Sequence, residues 1–122
     1  MADVIVVTDT DWVENDVHAS LTDPGTVVHR VSDPRAAVEG AKQHGAMAAV
    51  VDLQVGSMGG MAVVRALRAA IESHEIEPLR TVLLLDRSAD RFLAHRAGAD
   101  VSVVKPFTAQ ELRAAVALEP QP

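Results

Sequence analysis

Five short runs of β-branched and aliphatic residues, separated by stretches of helical periodicity, constrain this chain more than any other feature of its sequence. They are Val4-Ile5-Val6-Val7, Val27-Val28-His29-Arg30-Val31, Ala48-Ala49-Val50-Val51-Asp52-Leu53, Thr81-Val82-Leu83-Leu84-Leu85 and Val101-Ser102-Val103-Val104. Runs of this length and composition read as strands. The first, third and fourth are continuously apolar, as strands covered on both faces of a parallel sheet must be. The second alternates and belongs at an edge.

The intervening segments carry helix signals. In the first, Val13, Val17 and Leu21 make one apolar stripe behind Asp11, read as the N-cap, with Glu14 at the third helical position. Trp12 then falls in a partly exposed loop. The second opens with the cap-and-proline pair Asp33-Pro34 and ends near Gly45. The third runs from Gly60 to about Ser73 with Met61, Val64, Leu67 and Ile71 on one face. The fourth follows Ser88, is expected to turn Phe92, Leu93 and Ala97 inward, and stops at Gly98. In the last, Thr108 and Glu111 form a capping box ahead of the inward-facing Leu112, Ala115 and Val116, and the tail Glu119-Pro120-Gln121-Pro122 cannot continue it.

This β-α alternation predicts an α/β fold: a doubly wound five-stranded parallel sheet with helices on both faces and right-handed crossovers. Its short connections fill residues 1–122 as one domain, with no room for an attached output domain. Cysteine is absent, which excludes disulfides and thiolate metal sites. No apolar run suits a membrane span, and the opening Met-Ala-Asp lacks the features of a secretory signal, so a cytoplasmic location without membrane insertion is expected. A formal net charge of -6 speaks against nucleic-acid binding, and one Trp, two Phe and no Tyr leave no stacking platform for single strands.

Doubly wound sheets bind ligands beyond the carboxyl ends of their strands. Thr8, Asp9, Thr10 and Asp11 follow the first strand, Asp52 ends the third, Asp86 follows the fourth, and Lys105-Pro106 follows the fifth. Asp52 is the sharpest signal, because a charge interrupting an apolar strand is costly unless it is paired. Converging carboxylates can hold a hard cation such as Mg²⁺, a lysine can pair with phosphoryl oxygens, and the carboxylate on the third strand can act as nucleophile to give an acyl phosphate. Taken singly, these residues have plainer explanations: Asp9 and Asp11 cap a helix, Asp86 opens a turn, and Lys105 neutralises Asp52. Their joint placement at successive strand ends favours a site.

The blocks Val6-Val7-Thr8-Asp9, Val50-Val51-Asp52, Gly98-Ala99-Asp100 and Val103-Val104-Lys105-Pro106-Phe107 resemble, in order and spacing, those of response-regulator receiver domains (CheY-like), over essentially the whole chain. The resemblance implies a flavodoxin-like fold with strand order 2-1-3-4-5. It also implies phosphorelay signalling in a two-component system, in which a histidine kinase or phosphotransfer protein supplies the phosphoryl group with Mg²⁺. The output face would be the fourth helix, fifth strand and fifth helix. Carried over by residue, Asp52 is the phospho-acceptor, Lys105 the phosphoryl-binding lysine, and Asp9, Asp52 and the Gln54 main-chain carbonyl the metal ligands. Asp11 is a further candidate ligand through a water. The Lys105-Pro106 peptide would be cis.

Several positions depart from the family pattern. Thr8 replaces the first of the expected acidic pair and weakens the Mg²⁺ site. Asp86 stands where the family has a Ser or Thr that donates to the phosphoryl group; a carboxylate cannot donate and would repel the dianion. Asp86 is instead expected to pair with Lys105. Ser102 replaces the aromatic switch residue. Glycines make the loop Gln54 to Gly60 more flexible than its relatives. Gly56, Gly59 and Gly60 lack P-loop or dinucleotide spacing, and the five histidines, on different elements, do not predict a metal site. An Mg²⁺-dependent phosphatase-like reading lacks a second positioned acid or base, so no enzyme is expected. Two readings stand: an atypical stand-alone receiver that accepts phosphate on Asp52, favoured by Asp9, Asp52 and Lys105; and a phosphorylation-independent pseudo-receiver acting as a protein-interaction module, favoured by Thr8 and Asp86. A homodimer through the last helices is compatible with both.

Overall fold

The computed structural model describes residues 2–55 and 59–117. Five parallel strands, β1 (Ala2–Val7), β2 (Thr26–Val31), β3 (Ala48–Asp52), β4 (Arg80–Leu85) and β5 (Val101–Val104), form one sheet in the order β2-β1-β3-β4-β5. The register sets Val7 beside Val31 and Val51, and Asp52 beside Leu84. The crossovers contain α1 (Asp11–Leu21), α2 (Ala37–His44), α3 (Gly60–Glu72) and α4 (Arg91–Ala97), and α5 (Ala109–Ala117) follows β5. Short 3₁₀ turns, Pro34–Ala36 and Ser88–Asp90, lead into α2 and α4. This is the expected flavodoxin-like, doubly wound architecture, with the alternating second strand at one edge.

The period of two along the strands divides the core into two layers. Ile5, Val7, Ala49, Val51, Leu83 and Leu85 pack with Val64 and Leu67 of α3 and Ala94 of α4. Val4, Val6, Val50, Val82 and Leu84 pack on the other face with Val13 and Val17 of α1 and Leu112 of α5. Each fully buried aliphatic side chain contributes about 1.5–3 kcal/mol of transfer free energy, so the two layers hold the strand ends, and whatever they carry, in fixed positions.

The local signals mostly act as expected. Asp33 accepts from the Arg35 N–H, Gly45 ends α2 in the left-handed region, and the capping box closes in both directions, Thr108 Oγ1 accepting from the Glu111 N–H and Glu111 Oε1 from the Thr108 N–H. Three expectations are corrected. Asp11 is the first residue of α1 rather than its cap, because Thr10 takes the extended N-cap conformation; Trp12 therefore lies in the first helical turn, not in a loop. The buried face of α3 is Val63, Val64, Leu67 and Ala70, with Met61 and Ile71 only partly covered at its margins. Phe92 and Leu93 point outward, while Ala94 and Ala97 are the buried residues of α4, since small side chains let this short helix lie close against its neighbours. The expectation of a flexible glycine loop falls largely on residues 56–58, which, like the tail from 118 to 122, lie outside the described residues.

Candidate functional site

Asp52 is the last residue of β3 and is only 1% exposed. Both its oxygens have partners. Lys105 Nζ lies 2.8 Å from Oδ1, which also accepts from the Gln54 N–H at 3.2 Å, and Thr8 Oγ1 donates to Oδ2 at 3.0 Å. The neutral Thr8 thus does more than remove an acid: its buried hydroxyl binds the β3 carboxylate from the end of β1.

Lys105 follows β5 and reaches two carboxylates. Its ammonium is 3.1 Å from Asp86 Oδ1, so the lysine bridges the β3 and β4 ends as anticipated. Asp86 in turn accepts from Gln54 Nε2 at 2.7 Å through Oδ2. The Gln54 amide, helped by Lys105 and against partial desolvation, holds the Asp86 carboxyl below its ordinary range. Burial pulls the Lys105 ammonium down, but the hydrogen bonds and charges of Asp52 and Asp86 outweigh it and leave the lysine raised. The indole of Trp12, 54% exposed, lies with its centroid 5.7 Å from Lys105 Nζ, a cation–π distance. Lys105-Pro106 is the cis peptide bond, in agreement with expectation.

The remaining residues lie around this core. Asp9 is exposed next to Thr8 and accepts from Thr10 Oγ1 at 3.4 Å. Asp11 is paired with Arg30 Nη1 at 2.8 Å, and the same guanidinium nitrogen is 2.7 Å from Glu14 Oε1 while Nε donates to the Thr8 carbonyl at 3.3 Å. Arg30 therefore ties the edge strand to the loop that carries Thr8 and Asp9, a role that its place in an alternating strand did not announce. Ser102 lies on β5 and its carbonyl accepts from Arg91 Nη1 at 3.3 Å. Asp100, part of the Gly98-Ala99-Asp100 block, accepts from the Thr81 N–H at 2.9 Å and joins the entries to β4 and β5. His29 and His44, far apart in sequence, stack at 3.7 Å. Among the described residues no group of three or more His, Cys, Asp or Glu is spaced to hold a metal ion. No helix of the described residues is long and apolar enough to cross a membrane.

Gly60 explains how α3 can start so close to Asp52. A Cβ there would sit 2.6 Å from the Asp52 carbonyl oxygen and 2.7 Å from Leu53 Cα, so only glycine lets the helix follow the strand this tightly.

Comparison with known proteins agrees with this geometry. The family model for the response regulator receiver domain matches residues 4–117. The two-component response regulator PhoP of Pseudomonas aeruginosa is 31% identical over 111 residues, which cover 91% of this chain and 48% of PhoP, so the chain spans about half the length of this curated relative. Among solved structures, the chemotaxis protein CheY4 of Vibrio cholerae superposes with a TM-score of 0.77 at 24% identity, covering 92% of each chain. The receiver domain of the sensor histidine kinase PA1611 from Pseudomonas aeruginosa, with magnesium coordinated in its active-site cleft, gives 0.78 at 23% identity over 94% of this chain and 93% of that one. Family model, topology and the Asp52–Lys105 pair together place the chain: it belongs to the response regulator receiver domain family of two-component phosphorelay signalling.

Proposed function

We propose that this receiver works without phosphorylation, as a protein-interaction module whose phosphoryl-binding lysine is already occupied by a carboxylate of its own. One observation carries this reading: Lys105 Nζ is held at once by Asp52 and by Asp86, at 2.8 and 3.1 Å. In relatives a hydroxyl at the Asp86 position donates to a phosphoryl oxygen; here a carboxylate takes the lysine and offers no donor. A phosphoryl group on Asp52 would add negative charge next to Asp86, and near a protein surface two like unit charges about 4 Å apart repel by ~4 kcal/mol. Ser102 supports the same reading, since no aromatic ring is present on β5 to change position. Signal would pass through the face of α4, β5 and α5 to a partner protein. The domain is a signalling module, not an enzyme.

A second reading, phosphorylation of Asp52 by a histidine kinase or phosphotransfer protein, is favoured by the retained Asp52–Lys105 contact. An Asp52 oxygen would attack phosphorus, forming the acyl phosphate and releasing the donor imidazole. Asp9, Asp52 and the Gln54 carbonyl are oxygen donors of the type Mg²⁺ takes, and would hold it, with Asp11 contributing through a water only if it leaves Arg30. Mg²⁺ would supply charge neutralisation during transfer. Thr8 puts a neutral hydroxyl where a second acid would lie and engages Asp52 Oδ2, so the donor set fits the ion with less charge than the family pattern provides.

Trp12, the only tryptophan, reports directly on Lys105. Its fluorescence is followed while adding Mg²⁺, then beryllofluoride or acetyl phosphate, with Asp52→Asn as control. The phosphorylation-free reading expects no saturable response to either phosphoryl reagent. Saturable responses abolished by Asp52→Asn would establish the second reading in its place.

A further inference from the structure

The period of two along β2 sets Val31 against α2 and turns Val28 and Arg30 toward α1. Arg30, beside Val6 in the register, runs its stem along that face and brings a guanidinium only 23% exposed to the start of α1. One nitrogen, Nη1, meets both Asp11 Oδ1 at 2.8 Å and Glu14 Oε1 at 2.7 Å, and Nε donates to the Thr8 carbonyl at 3.3 Å. The Thr8 N–H donates in turn to the carbonyl of the next edge residue, Val31, at 3.2 Å. Two consecutive residues of β2 therefore hold the peptide groups on both sides of Thr8, whose hydroxyl lies on Asp52 Oδ2. Asp9 is the next residue, so the same anchorage sets the start of the loop that carries it.

We infer that Arg30 is a built-in counter-ion of this domain: it occupies the carboxylates of Asp11 and Glu14 that a divalent cation would otherwise draw on, and it fixes Thr8 against Asp52, so that the loop between β1 and α1 is held without metal. A guanidinium and a hard divalent cation compete for the same oxygen donors, and Arg30 is tethered beside them. Asp11, 88% exposed, has the access to reach an ion at the strand ends and is kept from it by this pairing. The sign of one effect separates this role from a plain structural tie. An arginine that only pinned β2 to α1 would, on removal, slacken the loop and leave cation affinity unchanged or lower. Loss of a counter-ion frees two carboxylates and raises it. Arg30 has this role whether or not Asp52 accepts a phosphoryl group.

The test follows the EPR signal of free Mn²⁺ as the full chain is added, with Mg²⁺ as competitor, for wild type, Arg30→Lys, Arg30→Met, and Arg30→Met combined with Asp11→Asn. Arg30→Met binds Mn²⁺ at least about 10-fold more tightly than wild type; Arg30→Lys, which keeps the charge, shows no such gain, and Asp11→Asn cancels it. Mg²⁺ also raises the thermal midpoint of Arg30→Met by more than that of wild type, because a ligand stabilises the fold that binds it. If Arg30→Met does not fold, Arg30→Gln, which drops the charge and keeps an N–H donor, carries the same comparison. Mn²⁺ affinity of the neutral variant equal to or below that of wild type overturns the proposal and leaves Arg30 a tie between β2 and α1. An equal gain in Arg30→Lys overturns it too, as does wild-type binding that already depends on Asp11. A saturable beryllofluoride response of the wild-type chain, with the neutral variant still the tighter Mn²⁺ binder, overturns phosphorylation-free function and keeps the role of Arg30.

Discussion

Lys105 Nζ lies 3.1 Å from an Asp86 carboxylate that is 40% exposed, whereas the second carboxylate it reaches, that of Asp52, is almost wholly buried. The two contacts therefore differ in what they do. Asp52 requires its cation, because an uncompensated buried charge is expensive. Asp86 retains access to water and competes for the lysine from outside. Replacing it by Asp86→Thr removes the competing charge and supplies a hydroxyl donor. The expected outcome is a saturable beryllofluoride response in the presence of Mg²⁺ where the wild-type chain gives none, since exchanging repulsion for a hydrogen bond to a charged group exceeds 1.4 kcal/mol, about 10-fold in affinity. Trp12 fluorescence titration measures it, and a variant as unresponsive as the wild type would remove Asp86 from the explanation of this site.

The same asymmetry predicts unequal stability effects. Lys105→Met leaves Asp52 without its ammonium and should cost about 3 kcal/mol, in the range for breaking one side of a buried pair. Asp86→Asn removes a solvent-screened contact and should cost less than about 1 kcal/mol. Urea denaturation at neutral pH separates the two, and equal losses would mean that the pair with Asp86 is as important to the fold as that with Asp52.

A pH dependence follows from the directions of the two shifts. Lys105 is raised, so its contribution is complete below the ordinary lysine value of about 10.4 and disappears as pH rises through its folded-state value. Asp86 is lowered, so its contribution is complete above the ordinary carboxylate value of about 3.9 and disappears as pH falls through its folded-state value. The urea midpoint of the wild-type chain should fall above about pH 10.4 more steeply than that of Lys105→Met. Parallel alkaline limbs for the two proteins would contradict the assigned bridge.

How much of this was legible in the sequence depends on what kind of contact each residue makes. Asp52, Asp86 and Lys105 were legible because each follows an apolar strand, and parallel topology forces successive strand ends to one edge of the sheet. The hydroxyl of Thr8 on Asp52 was not, because a Thr beside a strand end has many uses and only the pairing of β1 with β3 brings the two together. Arg30 was hidden for a related reason: its partners Asp11 and Glu14 lie on α1, and the relation exists only once β2 is at the edge beside β1. The fourth helix was misread because apolar periodicity marks which residues can be buried, not which are. With seven residues, α4 has room for one packed face, and Ala94 and Ala97 take it.

Gly60→Ala is the sharpest check on how the fold positions Asp52 at the end of β3. The added methyl would meet the Asp52 carbonyl at 2.6 Å and Leu53 Cα at 2.7 Å, both backbone atoms that cannot rotate away as a side chain would. Gly60 also donates its N–H to the Leu53 carbonyl at 3.0 Å, so the start of α3 and the end of β3 must move together. Helix propensity alone would make alanine better than glycine by about 1 kcal/mol. The backbone clash opposes that gain, and overpacking at such a site costs about 1–3 kcal/mol. The substitution is therefore expected to destabilise the domain and to alter the Trp12 emission, because any shift of Asp52 is passed through Lys105 to the indole above it. A thermal midpoint at or above the wild-type value would show that α3 does not need to approach β3 this closely, and that the position of Asp52 is set by the sheet alone.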